Sequence, residues 1–131
     1  MKLHFIGLFI LVTQLVSCHH SADVYMLKRD EIINRYASAI RWGEFDKAAQ
    51  FQNPAFRTVP DKVWLKNIHV ASYDIVFVDE KPGGKIVENT VQIRYFLESE
   101  GIEKSITDHQ VWSFDDEFDK WMLNSPLPAF R

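Results

Sequence analysis

Cysteine is nearly absent from the sequence, since Cys18 is the only one in 131 residues. A chain with one cysteine forms no internal disulfide, which excludes the small disulfide-stapled folds of secreted proteins. The fold must then be held by packing of apolar side chains, and the hydrophobic share of 47% with an aromatic share of 14% is sufficient for that. The same composition argues against an intrinsically disordered chain.

Apolar runs long enough to cross a membrane are also missing. The longest apolar stretch is Leu3 to Val16, and a transmembrane helix needs about 20 apolar residues. The stretch follows the positively charged Lys2, as the apolar part of a signal peptide does. We therefore predict a signal peptide over residues 1–17.

Strong positive charge is the third absence. The formal net charge is −3, and removal of residues 1–17 with Lys2 makes it −4 for the remaining 114 residues. This argues against nucleic acid as a partner and against electrostatic attachment to anionic lipid. A length of 114 residues is enough for one domain, which we place at residues 23–131.

The single cysteine ends the apolar stretch, in Leu15-Val16-Ser17-Cys18. This resembles the lipobox of bacterial lipoproteins, in which a small residue precedes a cysteine that becomes the first mature residue and carries lipid on its sulfur and amine. A plain secretory signal peptide is the alternative, but it leaves the cysteine without a use. The resemblance implies a lipid anchor at Cys18, and a short tether over residues 18–22. Because His19 and His20 follow instead of aspartate, it also implies the outer membrane, facing the periplasm.

Helical periodicity comes first in the domain. Apolar residues at spacings of three and four predict a helix from residue 21 or 23 to 42, ended by Gly43. A second, short helix is predicted over residues 44–52. At residues 63–65 a turn of helix and a short strand are both open, and either would deliver Trp64 to the core. The inward stripe of the first helix is Leu27, Ile33, Tyr36, Ala37 and Ile40.

A period of two follows, which predicts strands over residues 67–79, 86–97, 103–114 and about 121–123. In the first of these strands the apolar residues change from one set of alternate positions to the other, which indicates a bulge near residues 71–72. We expect an α+β fold with the N-terminal helices packed on a curved, cone-like antiparallel sheet of about four strands. The order of elements over residues 24–123 resembles the nuclear-transport-factor-2-like and cystatin-like folds, although no diagnostic motif accompanies it. That superfamily contains isomerases, cyclases, dehydratases and proteins without chemistry.

One candidate pocket follows from the strand pairing. A hairpin folded about Glu100-Gly101 pairs Ile93 with Asp108 and Val91 with Gln110, so Asp108 and Gln110 point into the apolar face, with Tyr73 beside them. Burial should raise the pKa of Asp108, unless Gln110 or a tyrosine hydroxyl forms a hydrogen bond with its charged form. In isomerase- and cyclase-like members an acid and a tyrosine carry proton transfer, and Asp108 with Tyr73 or Tyr36 is the pairing that the resemblance implies here. A wet rim, or a shift of one residue that turns these groups outward, is the alternative.

No metal site or cofactor is predicted. Adjacent His19 and His20 lack further ligands, and His69 and His109 lie on strands separated by another strand. The acidic turn at residues 115–119 lacks the spacing and the glycine of a calcium loop. The tryptophans could stack sugars, but aromatic residues in a domain of this size mostly fill the core. They are Trp42, Trp64, Trp112 and Trp121.

The sequence thus predicts a membrane-anchored lipoprotein with a non-catalytic binding or accessory domain, whose partner is a small apolar ligand or an envelope protein. The alternatives are a small isomerase- or cyclase-type enzyme and an accessory subunit of an envelope assembly or secretion machine. Fold resemblance does not decide among them, because one fold supports many functions.

Overall fold

The computed structural model describes residues 19–131, with side chains from Tyr25 onward. The predicted signal peptide over residues 1–17 and the predicted lipid attachment at Cys18 lie outside the described residues. Among the residues that are described, no helix is both long and apolar enough to cross a membrane.

The first helix, α1 (His19–Arg41), begins earlier than predicted, so the predicted tether is helical from His19 onward. Ile33, Tyr36 and Ile40 are buried as predicted. Leu27 is 71% exposed, and its predicted place in the core was wrong. The reason is that the buried stripe continues toward the N-terminus through Arg29, which lies two residues away and so on nearly the opposite side of the helix.

Arg29 is buried because its charge is paired. Its Nη1 lies 2.9 Å from Oε1 of Glu80, at the end of the first strand, and its Nε donates to Oδ1 of Asp30 at 2.9 Å. A buried cation with two carboxylate partners can occupy a position that an apolar pattern alone would assign to leucine.

Gly43 ends α1 as predicted, with a φ of +72° that suits glycine. Its N–H bonds to the carbonyl of Ile40 at 3.1 Å, and the chain reverses into α2 (Phe45–Ala49), which buries Phe45 and Ala48. After a 3-10 turn at Pro54–Phe56 comes α3 (Lys62–Leu65), so the structure has a turn of helix at residues 63–65. Trp64 on α3 stays partly exposed, and its predicted delivery to the core was wrong.

Four antiparallel strands form one sheet in the order β1-β2-β3-β4. They are β1 (Ile68–Glu80), β2 (Ile86–Leu97), β3 (Ile102–Asp115) and β4 (Lys120–Leu123). The predicted bulge lies between Val70 and Ser72, and a second one lies between Ile75 and Phe77. The α+β prediction is confirmed.

The core lies between one face of the sheet and a layer made by α1, α2 and the C-terminal segment. Tyr36 of α1 and Trp112 of β3 are both fully buried at its centre, with ring centroids 5.3 Å apart. In the C-terminal segment the ring of Phe130 packs between Phe45 at 5.5 Å and Tyr95 at 5.0 Å. Aromatic packing therefore closes the sheet on this side, as expected for a chain with one cysteine.

Candidate functional site

The pairing of β2 with β3 brings the predicted site residues to the inner face. Asp108 lies opposite Val91, and Ile106 opposite Ile93, so the predicted pairing was wrong by two residues. Gly101 explains the shift: with a φ of +62° it ends the turn rather than standing in its middle. A shift by two keeps every side chain on its face, so Asp108 still points inward.

Alternation along β3 sends Asp108, Gln110 and Trp112 to the same face of the sheet. Tyr73 joins them from β1, where it lies opposite Ile93 as predicted. Tyr36 reaches the same place from α1. We call these five residues the Asp108 cluster.

Gln110 connects the cluster through its side-chain amide. Its Nε2 donates to Oη of Tyr73 at 2.8 Å and to Oδ2 of Asp108 at 2.7 Å. Its Oε1 accepts a hydrogen bond from Nε1 of Trp112 at 3.1 Å. One buried amide thus fixes an acid, a phenol and an indole, and a network satisfied in this way is typically rigid.

Burial dominates the electrostatics of the cluster. Burial raises the pKa of Asp108 above its ordinary value, and the hydrogen bond from Gln110 and the nearby His109 only partly offset this. Burial also raises the pKa of Tyr73 and of Tyr36, so both phenols are protonated at neutral pH. The hydroxyl of Tyr36 is buried without a hydrogen-bond partner among the described residues.

Four of the five residues of the cluster are closed to solvent, and Tyr73 is half-buried. Tyr36, Gln110 and Trp112 are buried, and Asp108 is 8% exposed. A general base must come within about 3 Å of a substrate atom, which requires a hollow beside it. The rings of Tyr36 and Trp112 pack against each other on the inner face of the sheet, in the space that a cone-shaped pocket would occupy. The arrangement suits a structural polar network better than a catalytic acid and base.

Among the side chains described from Tyr25 onward, no group of three or more His, Cys, Asp or Glu residues is placed to hold a metal ion. His69 on β1 and His109 on β3 are separated by β2. In the acidic turn between β3 and β4, Oδ1 of Asp115 accepts from the backbone N–H of Glu117 at 2.9 Å and of Phe118 at 3.1 Å. This carboxylate therefore stabilises a hairpin turn.

A second surface lies at the end of the domain where α1 ends. A pocket of about 340 Å³ separates the α1–α2 turn from residues 60–66, with Phe45, Pro60 and Leu65 in its lining. Trp42 beside it is 77% exposed, against the expectation that the tryptophans mostly fill the core, whereas Trp112 and Trp121 are buried. The sequence did not predict this surface, because Trp42 directly follows the apolar stripe of α1 and continues its pattern.

Comparisons of the chain with protein-family models, with curated protein sequences and with solved structures gave no significant match. The lipobox and the likeness to the nuclear-transport-factor-2-like and cystatin-like folds stay predictions from the sequence.

Proposed function

We propose that this chain is a lipid-anchored protein of the bacterial cell envelope, held at the periplasmic face of the outer membrane, with a non-catalytic binding or accessory domain. The observation that carries the proposal is the sequence Leu15-Val16-Ser17-Cys18, which places the one cysteine directly after an apolar stretch. Two or more acyl chains on this cysteine would give stable membrane attachment, because each buried methylene contributes about 0.8 kcal/mol.

The geometry of α1 bears on how the domain would be held. α1 begins at His19, the residue after Cys18, and its 23 residues span about 34 Å. The middle of α1 lies at the β1–β2 turn and the β3–β4 turn, since Arg29 pairs with Glu80 and Lys28 lies 3.6 Å from Asp119. Lipid on Cys18 would therefore hold that end of the domain close to the bilayer.

The closed Asp108 cluster supports a non-catalytic domain. Its buried amide and rings cover the sheet's inner face and leave Asp108 only 8% exposed, so the path for a substrate to the carboxylate is narrow. Binding to an envelope protein, as an accessory subunit of an assembly or secretion machine would do, requires no such path.

Replacement of the cysteine tests the anchor. We expect Cys18→Ser to remove the protein from the membrane fraction and to abolish incorporation of a labelled fatty acid, while His20→Ser leaves both unchanged. Intact-mass measurement of the parent should show diacylglycerol on Cys18. A mature chain without lipid on that residue, or a Cys18→Ser variant that is still acylated, contradicts the proposal.

A small isomerase- or cyclase-type enzyme is the second candidate, favoured by one observation. The pKa of Asp108 is raised by burial, and Tyr73 is joined to the same amide, as in an acid and tyrosine pair for proton transfer. Carbodiimide labelling of carboxyl groups in the folded protein separates the two candidates. We expect the exposed Asp74 of β1 to be modified and Asp108 to be protected. Equal labelling of both would show an open site and favour the enzyme.

A further inference from the structure

Three apolar side chains project into solvent at the end of the domain where α1 ends. Trp42 is 77% exposed, Val59 93% and Val63 84%. Side chains this exposed stand out from the surface rather than line a groove. We call these residues, together with the cations Arg41, Arg57 and Lys66, the distal surface.

Two contacts hold these segments at one end of the domain. Lys62, next to Val63, lies 3.1 Å from Oδ2 of Asp46 in α2, shortly after Trp42 in the chain. The pocket of about 340 Å³ is lined from both sides, by Gly43 after Trp42 and by Pro60 after Val59. The segments that carry the distal surface therefore flank one pocket at this end of the domain.

The buried side chain of Gln52 fixes the loop that presents Val59. Its Nε2 donates to the carbonyls of Phe56 at 3.0 Å and Ser125 at 2.9 Å, and its Oε1 accepts from the backbone N–H of Thr58 at 3.0 Å. A loop held by three hydrogen bonds to one buried amide keeps Val59 in the solvent rather than letting it fold back.

Charge also separates this end from the rest of the molecule. Residues 41–66 contain five basic and three acidic side chains, a balance of +2, whereas the whole chain carries −3 and its remainder −5. Glu44 pairs with Lys47, and Asp46 with Lys62. Within the part of the chain that the structure describes, the three cations of the distal surface form no ion pair.

Exposed tryptophan and valine beside exposed Lys and Arg are the features of a membrane-interface contact. Tryptophan is favoured at the headgroup level, and the long basic side chains reach lipid phosphates while their methylene groups stay apolar. A bilayer accepts protruding side chains, whereas a protein partner would need matching pockets. We propose that the distal surface binds the interface of a bilayer that contains anionic lipid.

This contact goes beyond the proposed lipid anchor and does not depend on it. The distal surface lies at the C-terminal end of α1, about 34 Å from the residue that follows Cys18. If both ends contact the same bilayer, α1 lies along the membrane plane instead of standing upright on it.

Fluorescence of Trp42 in lipid nanodiscs tests the contact. The full chain is inserted into discs of phosphatidylcholine with or without phosphatidylglycerol, both carrying brominated acyl chains, and the signal of a Trp42→Phe variant is subtracted. We expect strong quenching of Trp42 only in the anionic discs.

Removal of positive charge from the distal surface should eliminate the difference in quenching between neutral and anionic discs. The double variant Arg57→Gln, Lys66→Gln should show the same low quenching in both kinds of disc, because each basic side chain near an anionic surface strengthens binding by about fivefold. The matched control, Arg94→Gln with Lys104→Gln on β2 and β3, should keep the anionic preference. Equal quenching in neutral and anionic discs, absent quenching in both, or shielding of Trp42 only by an added acidic protein overturns the proposal.

Discussion

The inner strand β2 and the edge strand β1 are paired along their length, yet they differ sharply in burial. In β2 the burial alternates strictly, and every second residue from Val87 to Leu97 is buried. In the 13 residues of β1, Ile68 alone is buried. Both strands are rich in apolar residues, so composition does not produce the difference.

Position in the sheet produces it. β2 lies between two strands and faces the core to which α1 and the C-terminal segment contribute, whereas β1 is paired along one edge only. Four consecutive apolar residues of β1 are exposed, and they are Ile75, Val76, Phe77 and Val78. An apolar pattern therefore indicates a strand, but the layer that packs on the strand decides its burial.

The second bulge marks the change along β1. Ile75 lies opposite Val91 on the inner face, but Phe77 lies opposite Thr90 on the outer face. Bulges are common on edge strands, where they increase twist and hinder pairing with other chains. β1 contains no lysine or proline, so the bulges and the charged Asp74, Asp79 and Glu80 protect this edge.

Removal of one large side chain from each region should give the largest contrast. We expect Trp112→Ala to lower the free energy of unfolding by about 3–5 kcal/mol, because it leaves a cavity between Tyr36 and the sheet. Phe77→Ala on β1 should cost less than about 1 kcal/mol, because that ring is largely in solvent.

Urea unfolding of both variants measures the contrast. Equal losses would mean that β1 is covered in solution, for example by a partner. A loss below about 1 kcal/mol for Trp112→Ala would mean that the core is loosely packed.

Much of the fold was readable from the sequence, for reasons that are local. The alternation of β2, the glycine after α1 and the phase slip near Ser72 each leave a direct signature, and the structure has all three. The inward direction of Asp108 was predicted even with the wrong pairing, because a shift of two residues conserves the face.

The failures arose where a tertiary partner decides the outcome. Arg29 is buried because its charge pairs with Glu80, which is distant in sequence. Leu27 is exposed because Arg29 occupies the buried side of α1 at this point. The closure of the Asp108 cluster depends on Gln110 reaching Trp112 and Tyr73, which spacing along a strand does not reveal. The distal surface was missed because net charge over the whole chain conceals a local excess.

An intermediate effect is expected at Gly43, which turns the chain from α1 into α2 so that both helices contribute to the core. Gly43→Val should lower the free energy of unfolding by about 1–2 kcal/mol, because a φ of +72° is unfavourable for a β-branched residue. Space is not the cause, since an added Cβ would lie 3.9 Å from Cε2 of Phe45.

Gly43→Asn is the matched control, because asparagine tolerates positive φ better than other residues with a Cβ. Thermal or urea unfolding should place it between the parent and Gly43→Val. If both variants lose the same stability, crowding rather than backbone strain controls this turn.

The smallest effect concerns one carboxyl group in each region, Asp108 on β3 and Asp74 on β1. Burial raises the pKa of Asp108 in the folded chain above the ordinary value of 3.8, so the folded protein holds this proton to higher pH than the unfolded chain does. Below the pKa of the unfolded chain, Asp108 is protonated in both the folded and the unfolded state and does not change the free energy of unfolding. As pH rises toward the folded pKa, the free energy of unfolding falls, and it stays lower above it.

Asp108→Asn removes the ionisation but keeps the shape. Urea unfolding between pH 3 and 8 should show the variant at least as stable as the parent at neutral pH, with the difference shrinking toward acid. Asp74→Asn, whose side chain is in solvent, should change stability little at any pH. A variant Asp108→Asn that is clearly less stable at neutral pH would show that the chain depends on the ionised carboxylate. The Asp108 cluster would then stabilise a negative charge in the core, as a site for proton transfer must. That result would favour the enzyme candidate, which the closed geometry of the cluster does not support.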